Sequence, residues 1–378
     1  MKILHITPSY KPAYLYGGPT VSVSLLAENQ VKVGHQVTIL TTTANGPADF
    51  PPSPNGETLD GVTVYRFPRW TGDHTHFSPR LLLWMIRNHQ SFDVIHVHSW
   101  WNLVVLPVVL WFRLTSRTFV FSPRGMFSGY TVRSGLRMRF QKGLASFLLK
   151  TARLHATSQT EAQDLLTTVP EGPLFILPNF IPLPAPGLQR VPPTDGSETI
   201  RLIFYSRIHD KKGLELTFRC LAACSRLPWH LSVAGSGEPS YVESLKKLAE
   251  SLGLSSRIDW VGFVEGDERF RLLQQADLFI LLSKNENFGN AVIESLAMGV
   301  PVLVSDQVGA GEWVLARKWG WVVPLDEKQI ISQMEEILAS PDVLHSIGST
   351  ARLDVHQFYN DGTLIQSYLD HYRPAGLP

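Results

Sequence analysis

Short apolar runs recur along the chain, separated by stretches in which apolar positions return every three or four residues. In the first half the runs fall at 2–7, 36–42, 61–68, 94–97, 118–122, 154–157 and 174–177, and in the second at 200–205, 231–234, 258–261, 278–282, 302–305 and 320–323. Runs this short, bounded by turn residues and alternating with helical spacing, predict strands of parallel sheets covered on both faces. Between the two series lie Pro182, Pro184, Pro186, Pro192 and Pro193 in a stretch with little apolar periodicity, the signature of a stiff linker. The pattern therefore predicts two doubly wound, Rossmann-like α/β domains: 1–180, a linker over 181–197, a second domain over 198–355, and a closing helical segment over 356–378.

Composition changes this picture in two ways. At 378 residues, 44% hydrophobic and 18% charged, the chain can bury two large cores, which excludes disorder and small disulfide scaffolds. Cys220 and Cys224 stand four apart in a helical stretch and read as small core residues, and with no leader pattern a reduced, cytoplasmic setting is expected. The longest apolar run, 103–112, is half of what a membrane-spanning helix needs and contains a proline. The net charge of +1 conceals a division. Residues 1–160 hold 16 bases and 6 acids, a net of +10, whereas 161–378 hold 18 and 27, a net of −9. The stretch 94–160 has nine bases and no acid, which points to an anionic partner.

In doubly wound sheets ligands lie beyond the carboxyl ends of the strands, so the strand-to-helix loops carry the candidate chemistry. Gly17-Gly18 and Gly235-Ser-Gly237 both follow strands, but each lacks the full dinucleotide fingerprint; the first reads equally as a plain loop, and the second more as a structural turn that also lets backbone approach a ligand. The loop after 200–205 sets Arg207, Lys211 and Lys212 ahead of a helix, where the helix dipole disfavours cations; either the loop is a solvated basic turn or a di-anion balances it. After 278–282 comes Ser283-Lys-Asn-Glu286-Asn287-Phe288-Gly289-Asn290, leading into a helix that carries Glu294. Backbone amides at Phe288, Gly289 and Asn290 would open that helix and could take phosphate or sugar oxygens, while Glu294 could accept paired hydroxyls. The alternative leaves Glu294 an exposed helix residue and Glu286 an ordinary loop acid.

Two glutamates with seven residues between them, Phe-Gly among those seven and Ala-Met-Gly-Val-Pro-Val after, resemble the signature of the family 4 retaining glycosyltransferases (glycosyl transferases group 1). The likeness extends through 3–8, Gly17-Gly18, 34–37, 93–98, 155–158, 177–179, the 207–213 loop, 233–237 and 261–263 in order. It implies the GT-B fold, two Rossmann-like domains facing across a cleft. It also implies roles: Arg207 and Lys212 on the diphosphate, Glu294 on ribose, Glu286 on the donor sugar, and the segment containing Phe263 beside the base. Gly17, Gly18, Gly235, Asn287, Phe288, Gly289 and Asn290 join the donor site. One departure stands out. Where the family often has a histidine near the donor sugar, Ser122-Pro123-Arg124-Gly125 places Arg124, read as a donor or acceptor phosphate contact or as a structural ion-pair residue. His98 and Trp101 (or its neighbour Trp100) are further candidates for contact with donor or acceptor, although a lone histidine is more often structural.

Breaking the anomeric bond of a nucleotide diphosphate sugar leaves added charge on the diphosphate, which fixed cations can stabilise. No Asp-x-Asp metal motif occurs anywhere in the chain, so Arg207, Lys212 and Glu286 are expected to act without metal and without a cofactor, the nucleotide sugar serving as co-substrate. The segment 128–151 interleaves Arg133, Arg137, Arg139 and Lys142 with Tyr130, Leu136, Met138, Phe140, Leu144 and Phe147. It resembles a basic interfacial helix, which suggests peripheral docking on the inner membrane face and a lipid-linked or glycan acceptor in polysaccharide or cell-envelope synthesis. No nucleic-acid motif is present. The competing readings are a nucleotide-sugar epimerase or phosphorylase of the same fold, and a non-catalytic binder.

Overall fold

The computed structural model describes residues 1–128, 136–170, 172–185, 187–191, 199–264, 266–360 and 362–373, with 136–140 given by backbone alone. Pro186, Pro192 and Pro193 of the expected linker lie outside these residues, as do Tyr130, Arg133 and the side chains of Leu136, Arg137, Met138, Arg139 and Phe140. Two compact units divide the chain: Met1–Ile181 with Gly362–Pro378, and Pro182–Asp361.

In the first unit the order is β1 (Lys2–Ile6), α1 (Gly18–Lys32), β2 (Gln36–Thr42), the small hairpin β3 (Ala44–Asn45) and β4 (Ala48–Asp49), β5 (Ser53–Leu59), β6 (Val62–Phe67) and α2 (Pro79–Asn88), then β7 (Val94–His98), α3 (Val105–Leu114), β8 (Phe119–Ser122), α4 (Leu136–Leu148), β9 (Ala152–Ala156), α5 (Gln159–Leu166) and β10 (Leu174–Ile176). They build one eight-stranded sheet, β10-β9-β8-β7-β1-β2-β6-β5. Ile3 of β1 stands opposite Val37 on one side and Val94 on the other, and every pair in this sheet is parallel except β5 with β6. Strand order reverses between β1 and β7, so the loops leaving those two strands, with Gly17-Gly18 after one and His98 ending the other, flank the switch point where such sheets bind ligands.

The second unit runs β11 (Ile200–Tyr205), α6 (Leu214–Ala223), β12 (Trp229–Ala234), α7 (Pro239–Ser251), β13 (Ile258–Gly262), α8 (Glu268–Gln274) and β14 (Leu278–Leu281), then α9 (Asn290–Ala297), β15 (Val302–Ser305), α10 (Gly311–Arg317), β16 (Gly320–Val323), α11 (Glu327–Leu338) and α12 (Pro341–Asn360). Its sheet, β13-β12-β11-β14-β15-β16, is parallel throughout. The order reverses between β11 and β14, and the two loops rich in candidate chemistry leave those two strands. Sheet topology alone thus places them side by side.

Two expectations are corrected. The closing segment is not one helix: α12 ends at Asn360, and a separate α13 (Thr363–Tyr372) follows Gly362, whose φ of 81° stops the first and starts the second. The second unit extends to Asp361, past the expected boundary at 355, and the chain belongs to the first unit again from Gly362. There α13 buries Leu364, Ile365, Tyr368, Leu369 and Tyr372. The sequence pattern also misses β5, whose residues Ser-Pro-Asn-Gly-Glu-Thr-Leu show no apolar alternation. It is an edge strand with no fully buried residue, so nothing imposed that alternation on it.

Candidate active site

Two glycines set the geometry of the second unit's switch point. At Gly213 (φ 76°) a Cβ would fall 2.0 Å from the Leu282 carbonyl oxygen, and at Gly235 (φ 141°) 1.9 Å from that of Ser206. Backbone therefore approaches backbone where a side chain would block it. The 207–213 and 283–290 loops are then joined directly: Lys284 N–H and Ser283 Oγ both donate to the Lys211 carbonyl, at 2.7 and 2.8 Å. Across this seam the Lys212 ammonium pairs with the Glu286 carboxylate. Lys212 is 8% exposed at its side chain and Glu286 20%, so the cation is the more deeply held partner. Glu286 is fixed from its other face by its own N–H to Gln307 O (3.0 Å) and by Gly309 N–H to its carbonyl (2.9 Å). Lys211, crowded by burial and by Lys212, is pushed below the usual lysine range, and Arg207 projects into solvent.

Gly289, at φ 92°, opens α9 with no side-chain cap, and the Phe288 ring is buried, so this stretch offers backbone and not the ring to a ligand. Glu294, one turn into α9, is buried, with Arg269 Nε 3.4 Å from its carboxylate. Burial raises the Glu294 pKa, partly offset by Arg269, and burial, with the Glu294 charge added, drives Tyr205 up to about 12. The two glutamates thus have different partners: Glu286 meets Lys212, Glu294 meets Arg269. Arg269 went unnoticed in the sequence because Asp-Glu-Arg-Phe-Arg reads as a solvated helix face.

Beside these loops the surface is hollowed twice. A cavity of about 420 Å³ is walled by Arg207, Ile208, Asp210, Ser236, Gly237 and Tyr241. A second, about 410 Å³, is walled by Gly235, Val242, Lys246, Trp260 and Phe263 among others, and shares Ile208, Ser236 and Gly237 with the first. Phe263 is 69% exposed, a flat apolar surface left in water. Asn287 belongs to the loop between Glu286 and α9 and Asn290 is the first residue of α9.

In the first unit Gly17 takes φ 77°, ψ −150°, a conformation reserved for glycine, with open space where a Cβ would point, and Gly18 begins α1. His98 is buried, its two ring nitrogens taken up by His5 and Arg124. Arg124 is itself 8% exposed, at φ 56°, with one guanidinium nitrogen on Asn179 Oδ1 and on Ser22 Oγ (3.4 Å) and the other on His98. Trp101 is half-buried against Trp100, whose ring is inside the core. Cys220 and Cys224 are buried free thiols.

Two family models match the chain: "Glycosyltransferase Family 4" over residues 16–183 and "Glycosyl transferases group 1" over 189–354. The chain belongs to the family 4 glycosyltransferases. Among similar proteins is an uncharacterised glycosyltransferase of Methanocaldococcus jannaschii, 24% identical over 99% of this chain and 98% of that one. Another is the GDP-mannose:cellobiosyl-diphosphopolyprenol alpha-mannosyltransferase of Xanthomonas campestris, 24% identical over 100% and 98%. The fold is shared with sucrose-phosphate synthase of Thermosynechococcus elongatus, with a TM-score of 0.75 at 20% identity over 98% of both chains. The fold is that of the GT-B glycosyltransferases, and the chain is a glycosyltransferase. Among the described residues no helix is long and apolar enough to cross a membrane.

Proposed function

We propose that the protein transfers a hexose from a nucleoside diphosphate sugar to a lipid-linked sugar or glycan acceptor, with retention of anomeric configuration and without a divalent metal. The observation that carries this reading is the buried Lys212 held against Glu286 at the β11/β14 switch point, with Arg207 exposed on the same loop. A leaving diphosphate draws on Lys212 as a point charge, on Arg207 as a fork and on the uncapped start of α9. Each such preorganised donor is worth about 3–4 kcal/mol at the transition state. Glu286 orients both Lys212 and the donor sugar, and Glu294 takes the ribose hydroxyls. The 410 Å³ cavity with Trp260 and Phe263 suits a nucleobase. The sequence has no Asp-x-Asp pair to hold a metal between phosphates, which supports the cations in that task.

The mannosyltransferase relative is named for a diphosphopolyprenol acceptor, which supports a lipid-linked one here. So does the surface near 128–151. Leu110, Leu114 and Phe147 are exposed, and the Arg113 guanidinium lies 4.9 Å from the Phe147 ring centre, a mixed apolar and basic face suited to an anionic leaflet. The relatives' names give transferases, which leaves the epimerase, phosphorylase and binder readings without support.

The test is a donor panel of UDP- and GDP-sugars incubated with lipid diphosphate acceptors, with and without EDTA, and analysis of the product's anomeric configuration. Transfer undiminished by EDTA and with retained configuration is expected. Activity abolished by EDTA and restored by manganese overturns the metal-free reading, and flotation on vesicles that ignores anionic lipid overturns the membrane reading.

A further inference from the structure

Eight side chains of the first unit and one carbonyl form a single hydrogen-bonded chain whose direction has only one solution. The Leu177 carbonyl can only accept, and the Tyr368 hydroxyl, 3.2 Å from the same nitrogen, spends its proton on Pro178 O (3.0 Å), so His155 donates from Nε2 to Leu177 (3.0 Å) and, as a neutral ring, keeps a bare Nδ1. Ser122 donates to that nitrogen (2.7 Å), and so accepts from His96 Nε2–H (2.6 Å). The bare His96 Nδ1 receives the Tyr372 hydroxyl (2.6 Å), and Tyr372 in turn receives the amide of Gln30 (3.2 Å). The Gln30 carbonyl must then accept from His5 Nε2–H (2.8 Å), and His5 Nδ1 from His98 Nε2–H (2.9 Å). The last bare nitrogen, His98 Nδ1, faces Arg124 Nη2 at 3.4 Å, and arginine can only donate. An acceptor-only end and a donor-only end thus agree on one assignment. With the rings neutral, all four carry their proton on Nε2.

Every one of these side chains is buried, from 0% exposed at His5, His96, His155 and Gln30 to 8% at Arg124. Burial holds His5 near 4 and His155 near 3, with His96 and His98 also well below the usual range, so none of the four is charged at neutral pH. Among the described residues no carboxylate pairs with Arg124; its partners are Asn179, Ser22 and His98, all uncharged. Neutral acceptors orient a guanidinium and leave its charge uncancelled, which a carboxylate would not. Its Nε has no partner.

We propose that His98, His5, Gln30 and Tyr372 are positioning residues that hold Arg124, charge intact, for a phosphate of the substrate, so that the α13 residue Tyr372 is wired to that guanidinium through three side chains. The inference rests on the glycosyl-transfer reading for the identity of the phosphate, and on geometry alone for the chain. His5, His96 and His98 also bring ring nitrogens within 4.8 Å of one another, the spacing of a metal site. The lone pairs a metal would need are occupied by the chain, so the two arrangements exclude each other.

The experiment uses the full chain with ¹⁵N-labelled histidine and arginine. Long-range ¹H–¹⁵N spectra at pH 7 should show four neutral Nε2–H rings and a slowly rotating Arg124 guanidinium with resolved Nη signals. Tyr372→Phe removes one hydroxyl; it should free the His96 tautomer, collapse the Arg124 Nη signals and lower kcat/KM by about 10- to 100-fold. The substrate, donor or acceptor, whose KM rises should be the same one as in Arg124→Lys. An Nδ1–H or doubly protonated ring at His5, His96, His98 or His155 in the wild type, a stoichiometric metal in the purified protein, or Arg124 signals unchanged in Tyr372→Phe overturns the proposal. Absence of transfer from every donor with these spectra intact would count against the function and leave the chain standing.

Discussion

Lys212 and Glu286 form an unequal pair, and the inequality predicts which substitution harms what. Lys212→Ala leaves a carboxylate that still reaches water, so the fold should survive while turnover falls about 100- to 1,000-fold. Glu286→Ala instead strands the more buried ammonium, and should cost about 1–3 kcal/mol of stability in addition to activity. Denaturant melts and kinetics on both variants check this; equal stability losses would contradict it. Gly235→Ala has no such escape, because its Cβ would strike the Ser206 carbonyl, and a loss of about 3 kcal/mol or more is expected. The sequence offered Lys212, Glu286 and Glu294 as candidates through their places after two strands and through the family resemblance. It could not offer Arg269, which reaches Glu294 only because α8 packs on α9, nor tell that the two acids have separate partners.

Among the elements, α5 is pinned by a reciprocal cap. Ser158 Oγ accepts from Glu161 N–H (3.2 Å), while the Glu161 carboxylate accepts from Thr157 N–H and Oγ1 (both 2.8 Å) and from Gly125 N–H (2.6 Å). The cap therefore also holds the turn that follows Arg124. Ser158→Ala should cost about 1 kcal/mol, whereas Glu161→Ala should cost more and additionally raise the exchange rate of the Gly125 amide, readable by hydrogen exchange. Strands buried on both faces were legible because burial forces continuous apolar runs, as in β14, where all four residues are apolar and buried. The edge strand β5 was illegible for the converse reason, and the break between α12 and α13 hid behind one glycine in an otherwise helical pattern.

On the scale of the molecule, the first unit concentrates neutral buried histidines. His5 and His76 are held near 4 and His155 near 3, chiefly by burial, against about 6.5 when unfolded. Below pH 6.5 the unfolded chain takes up protons that the native one refuses, so stability falls as pH drops toward 4, by about 3 kcal/mol for His5 alone. Guanidinium unfolding at pH 7, 5.5 and 4.5 should show that decline, with hydrogen exchange locating it in the first unit; a flat profile would refute it. Ending the chain at 361 should likewise destabilise the first unit and spare the second, because α13 supplies five buried residues to the former. Neither effect could be foreseen from apolar patterning, which identifies what α13 buries but not against which sheet. The ribosome delivers this polypeptide from its amino end, and most domains settle as they emerge. Here Tyr372 and its neighbours arrive only after the whole of the other unit has been made. The half born first must therefore wait, incomplete, and a nascent protein stalled before α13 would carry a finished second unit and an unfinished first.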